Sequence, residues 1–287
     1  MACNWSLLFI SVVLQMAVAH NPELLPPQVI ARNGQDTCPP QEVRDAAKQN
    51  IDTAISDILR STNILIESCG AGRWHRVAFL NMSDPMQQCP SAWREYNSNG
   101  IRVCARQTSS RGSCQSTHYP TDRQYSRVCG RIIGYQLGSP GAFELAQGRS
   151  IDQAYLDGIS ITHGTPRTHV WSYAVGASEN GNCLPLHTCP CSNSNRAPPP
   201  YVGNNYYCES AYRGDCFVND VFFPNDPLWD GQQCDNEGTC CTGTNTPPWF
   251  SVDLADRTGD DIEVRICHDE NTSNEDSPIQ LLELYVQ

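Results

Sequence analysis

The chain is 287 residues long, carries 31 acidic against 19 basic side chains for a net charge of -12, and contains 16 cysteines. The acidic balance argues against nucleic acid as a partner, because phosphate binding needs a basic surface. The cysteine number points to an oxidising compartment. The length allows a proper hydrophobic core, which disulfides then reinforce rather than replace.

The chain opens with "MACNWSLLFISVVLQMAVAH". Its apolar run from Leu7 to Val18 ends in Ala17-Val18-Ala19, a small-residue cleavage pattern, so residues 1–19 read as a secretory signal peptide cut before His20. A bilayer-spanning helix takes about 20 apolar residues. No later stretch is that long and apolar, so the mature chain is expected to be secreted, extracellular and without a membrane span.

Residues 20–38 hold Pro22, Pro26, Pro27 and Gly34 without periodicity and read as a linker. A helix is expected over 39–66. Ile51, Ile58 and Leu65 recur every seven residues, with Ala47 and Ala54 at the companion positions and Ile55 beside them. Such a stripe serves either to dock the helix on its own domain or to pair it with a second copy.

From Cys69 the period changes to two. "RWHRVAFLNM", "SRVCGRIIGYQ", "DGISITHG", "HVWSYAVG", "DDIEVRIC" and "IQLLELYV" alternate and are separated by Gly, Pro and Asn clusters. The expectation is a mainly β, disulfide-rich domain with long loops over 69–287, behind a short amphipathic helix with a heptad seam.

Cys3 leaves with the signal, and fifteen cysteines remain. Structural zinc favours C-x2-C pairs. The close pairs here are Cys189-Pro-Cys191 and Cys240-Cys241, so disulfides are expected instead. Fourteen cysteines can close within the domain: Cys69, Cys89, Cys104, Cys114, Cys129, Cys183, Cys189, Cys191, Cys208, Cys216, Cys234, Cys240, Cys241 and Cys267. Cys38 is then left over and is the candidate for a bond between chains. The competing arrangement bonds Cys38 to its own domain and leaves another cysteine, such as Cys216, in the odd position.

Charge is uneven. Nine arginines face three acids between Gly70 and Tyr135, and ten acids face two arginines between Ser251 and Gln287. Arg73, Arg76, Arg102, Arg106 and Arg111 are therefore candidate contacts for sulfated glycans. The alternative is that the basic and acidic regions pair with each other or face solvent. Asp226, Asp230 and Asp235 in "NDPLWDGQQCDNEG" are candidate calcium ligands, although the spacing is not that of an EF-hand. Calcium is the one cofactor suggested. Asn81-Met-Ser83 and Asn271-Thr-Ser273 are glycosylation sequons. Tyr201, Tyr206, Tyr207, Phe222, Phe223, Trp229, Trp249 and Phe250 fall in loop-like stretches, suited to sugar stacking or to a loop-rich core.

Catalytic patterns are weak. Ser160 sits in strand alternation near His163, and the chain has no G-x-S-x-G elbow. His163 and His169 have hairpin spacing for a metal pair but belong to no ligand signature.

The blocks "WHRVAFLNMSDPMQQCPSAW", "YSRVCGRIIGYQLGSPGAF", "DGISITHGTPRTHVWSYA", "FVNDVFFPNDPLWDGQQC", "TCC", "PPWF" and "DDIEVRIC" together resemble a family of secreted cysteine-rich proteins of sponges, cnidarians and other marine invertebrates. The resemblance spans about Cys69 to Gln287 and implies compartment and architecture, often behind an oligomerising or linker segment. It implies no activity. "CGAGRWHRVAFL" also resembles the glycine-tryptophan element of fibrinogen-related domains. The upstream tyrosine-cysteine-aspartate-methionine motif is missing, so calcium or acetyl-group binding is not carried over.

The sequence thus leads to a non-enzymatic secreted matrix or recognition protein, self-associating through its helix, with itself, extracellular glycans and matrix proteins as expected partners. The alternative is a lectin-like module for sulfated glycans or calcium-dependent sugars. A secreted hydrolase is the third reading.

Overall fold

The computed structural model describes residues 41–98, 100–108, 110–135, 150–153, 155–177, 198–211, 249–268, 271–273 and 276–287. The expected signal peptide and linker lie outside them. So do Cys38, Cys183, Cys189, Cys191, Cys216, Cys234, Cys240, Cys241, Asp226, Asp230, Asp235, Phe222, Phe223 and Trp229. The chain forms two compact units, Met1–Asn63 and Ile64–Gln287. Among the described residues no helix is long and apolar enough to cross a membrane.

Helix α1 spans Gln41–Cys69 and is 29 residues long, about 43 Å at 1.5 Å per residue. It runs three residues past the expected end. The sequence from Gln41 to Cys69 contains neither Gly nor Pro. Gly70 stops it: its φ of 84° is the left-handed conformation that closes helices after their last turn. Ile51 and Ala54 are half-buried on the expected stripe, whereas Val43, Ile55 and Ile64 are exposed.

The second unit is mainly β. Its strands are β1 (His75–Asn81), β2 (Trp93–Ser98), β3 (Ile101–Arg106), β4 (Ser113–Tyr119), β5 (Tyr125–Gly134), β6 (Gly158–His163), β7 (Thr168–Ala177), β8 (Tyr206–Ala211), β9 (Trp249–Thr258), β10 (Ile262–His268) and β11 (Ile279–Val286). One sheet runs β2-β3-β11-β5-β9, with β1 also paired to β11; the other runs β4-β10-β6-β7-β8. All pairings are antiparallel except β7 with β8.

The two sheets share one core. Val128, Ile132, Leu282, Leu284 and Val252 come from the first; Ile159, Ile161, Ile262, Val264 and Ile266 come from the second. Trp171 of β7 stacks on Phe250 of β9 at 4.4 Å between ring centres and joins the layers. Gly130 lets β5 approach β11, because a Cβ there would lie 2.3 Å from the Glu283 carbonyl oxygen.

Three disulfides fasten this frame: Cys69–Cys129, Cys89–Cys104 and Cys114–Cys267. Six of the fourteen candidate cysteines are thereby paired within the domain, and Cys208 lies on β8. The first bond fixes the end of α1 to β5. The third links register partners on β4 and β10.

Candidate functional site

The outer face of the six-stranded sheet carries a set of arginines laid on aromatic rings. β5 alternates, so Arg127, Cys129 and Arg131 point away from the core while Val128 and Ile132 point into it. Register places Trp249 and Glu283 beside Arg131, and Tyr285 and Ser251 beside Cys129. The Arg131 guanidinium lies 5.1 Å from the Trp249 ring centre, and its Nε donates to Glu283 Oε2 at 2.7 Å. Arg127 repeats the arrangement over Trp74 at 4.9 Å, donating to Asp253 Oδ1 at 2.7 Å and to the Cys69 carbonyl at 3.2 Å. Arg76 covers the exposed Phe79 ring at 4.7 Å. Trp249 and Tyr285 lie 6.2 Å apart. Guanidiniums stacked in this way are held flat against the ring, and Arg127 already donates from all three nitrogens, to Asp253, Gln287 and Cys69.

The candidate glycan arginines divide differently from the sequence reading. Arg73, Arg76 and Arg111 are exposed. Arg106 is not a surface group: it is fully buried, with Nε 3.4 Å from Asp276 Oδ1 and Nη1 donating to the Ser113 and His268 carbonyls. The interior position comes with its own counter-charge, which run-of-sequence counting could not locate. Burial pushes Asp276 up to about 6, against the opposing pull of Arg106 and Arg94.

Arg102 is structural as well. All five of its N–H groups donate: Nε and Nη2 to Glu95, Nη1 to the carbonyls of Met82 and Asp84, and Nη2 to that of Gln87. It holds the turn after β1 instead of facing a ligand. The residues missed were Arg127, Arg131 and Tyr285. Their signal was the outward alternation of "RVCGR", but their aromatic and acidic partners arrive from distant strands.

The aromatic group read as loop-borne is partly in strands. Trp249 and Phe250 open β9, and Tyr206 and Tyr207 open β8. Phe250 and Tyr207 belong to the core and its margin, while Trp249 faces outward.

The outer face of the other sheet is a buried polar layer. Glu263 of β10 is 3% exposed. It accepts hydrogen bonds from Thr162 Oγ1 at 2.7 Å, Arg167 Nε at 2.7 Å and Ser116 Oγ, and Arg265 Nε stands 3.6 Å away. Burial works to raise its pKa, but these hydrogen bonds and the Arg265 charge outweigh burial and hold it at about 2. Arg167 continues to Asp152 at 3.2 Å.

Beside this layer Ser160 Oγ and Ser172 Oγ share a hydrogen bond at 2.7 Å, and Ser172 meets His169 Nε2 at 2.9 Å. Ser160 and Ser172 are 4% and 0% exposed. His169 contacts Ser172, not the candidate nucleophile Ser160, and burial lowers its pKa to about 4. A hydrolase nucleophile needs an exposed turn and a base in reach. Ser160 has neither in this arrangement.

The metal-pair reading of His163 and His169 is corrected by the pleat. His169 pairs across with Thr162, on the Glu263 face, whereas His163 points to the opposite face, where its Nδ1 meets Asp260 Oδ2 at 3.1 Å. Among the described residues no cluster of three His, Cys, Asp or Glu could hold a metal ion.

Both sequon asparagines sit in tight turns. Asn81 Oδ1 accepts the Ser83 N–H at 3.1 Å, and Asn271 Oδ1 accepts the Ser273 N–H at 2.9 Å.

Comparison with known proteins gives no matching family model and no matching curated protein.

Proposed function

We propose that this is a secreted, non-enzymatic recognition protein of the extracellular matrix, presenting the arginine–aromatic face of its six-stranded sheet to glycans. Copies associate through α1, with Cys38 as the link between chains. The observation that carries the reading is the set of three guanidiniums laid over aromatic rings, Arg127 and Arg131 on β5 and Arg76 on β1. Rings of this kind stack on the apolar faces of sugars, while fixed Arg and Glu edges bond to hydroxyl or sulfate oxygens. The pairing of Arg127 with Asp253 and of Arg131 with Glu283 lowers the net charge of the face. It therefore favours sugars recognised by stacking over densely sulfated chains.

The buried state of Ser160 and its bond to Ser172 support the non-enzymatic reading. The resemblance to secreted cysteine-rich proteins of marine invertebrates supports the compartment. The test is a glycan array probed with and without calcium. Binding that survives a chelator agrees with the sheet face as the site. An array with no bound sugar overturns the glycan reading.

A further inference from the structure

Two of the disulfides interlock. Cys114 lies inside the loop closed by Cys69–Cys129, and Cys129 lies inside the loop closed by Cys114–Cys267. The two bonds make a covalent shortcut through the β-domain. From Cys69 the path crosses to Cys129, runs back fifteen residues to Cys114, crosses to Cys267 and runs twenty residues to Gln287. That is thirty-five residues of extensible chain, where the linear route from Cys69 to Gln287 has 218. At about 3.5 Å per residue the difference is about 12 nm against about 76 nm. Further bonds among the other cysteines can shorten the path but cannot lengthen it.

The folded geometry sets what happens before that limit. Cys129, which carries the end of α1, is the register partner of Tyr285, and Val128 is that of Val286. Gln287 is bonded to the β5 backbone: its N–H donates to the Arg127 carbonyl at 3.0 Å, and its carbonyl accepts from Ser126 at 2.8 Å. The Arg127 side chain reaches both the Cys69 carbonyl and Gln287 Oε1. Load applied between α1 and the end of β11 therefore enters at neighbouring points of two paired strands. It peels β11 from β5 one hydrogen bond at a time instead of shearing the whole ladder at once.

We propose that the β-domain is a tension-bearing link with a covalent stop: it yields between helix and terminal strand, then halts after a short extension set by the interlocked disulfides. The proposal rests on the matrix reading for the source of load, not on glycan binding. The load it bears is one applied between α1 and the end of β11.

Single-molecule stretching tests it, with handles attached ahead of Gln41 and after Gln287 in the full oxidised chain. Beyond the extension of α1 itself, the expected length gain is about 12 nm, rising to about 76 nm when reductant is added. The double variant Cys69→Ser, Cys129→Ser leaves a path through Cys89–Cys104 and Cys114–Cys267 of fifty residues, so its gain is about 17 nm. The proposal is overturned if the oxidised wild type extends by several tens of nanometres, or if the double variant extends no further than wild type. A failed glycan array leaves these lengths untouched, so the two readings fail separately.

Discussion

Replacing Glu263 by Gln removes one negative charge from the middle of β10, leaves Arg265, 8% exposed, without its nearest carboxylate, and leaves Arg167 with Asp152 alone. Breaking a buried pair by deleting one partner costs about 3–5 kcal/mol. For a domain of this size each kcal/mol moves the melting temperature by about 2–4 °C, so Glu263→Gln should melt roughly 6–20 °C below wild type. The pH dependence is a second signature. The folded pKa of Glu263, about 2, lies below its ordinary value of 4.5, so its stabilisation is fully present above pH 4.5 and is lost as pH falls through 2. Linkage puts that contribution at about 3 kcal/mol. Thermal melts at pH 7 read the first effect, and denaturant unfolding of wild type and variant at pH 7, 4.5, 3 and 2 reads the second. The gap between the two proteins should narrow steadily below pH 4.5. A variant that melts within a degree of wild type, or a gap independent of pH, would refute the account of the buried layer.

Arg102→Lys removes the planar five-donor clamp from the turn at 82–87 and should loosen it; limited proteolysis should then cut in this turn first, and an unchanged cleavage pattern would show that the turn holds itself. Burial keeps His169 neutral, with a folded pKa of about 4 below its ordinary 6.5. Its stabilisation is therefore present above pH 6.5 and is lost as pH falls toward 4. His169→Gln should show a shallower loss of stability between pH 6.5 and 4, and parallel profiles would contradict the assignment. On a non-reducing gel the wild type should run as a disulfide-linked oligomer and Cys38→Ser as a monomer; a monomeric wild type would remove the interchain role of Cys38.

Much of the frame was legible because burial and alternation coincide. "DDIEVRIC" places Ile262, Val264 and Ile266 on one face, and β10 turns that face to the core. β5, β6, β7 and β11 carry the same signal. β2, β3 and β4 did not: "WREYNS" and "SCQSTHY" are polar strands, and "IRVCAR" ends in four consecutive buried residues, Arg106 among them, so none shows a simple inside and outside. Arg106 illustrates the limit. Its neighbours in sequence suggest a basic surface, while its carboxylate partner, Asp276, lies 170 residues away. The arginine–aromatic face was hidden for the same reason: Arg131, Trp249 and Tyr285 meet only through strand order, and Trp74 meets Arg127 from far along the chain. His163 and His169 fall on opposite faces because the hairpin pairs His163 with Thr168 and Thr162 with His169, a register that spacing alone does not reveal.

We propose Trp249 and Arg131 as the centre of a glycan-binding face. The most direct measurement is a calorimetric titration of the strongest array sugar into the native protein and into Trp249→Ala, with circular dichroism confirming that the sheet is kept. The expected result is binding at least tenfold weaker in the variant, a loss of about 1.4 kcal/mol. Equal affinity in the two proteins would place recognition elsewhere and contradict the assignment of this face.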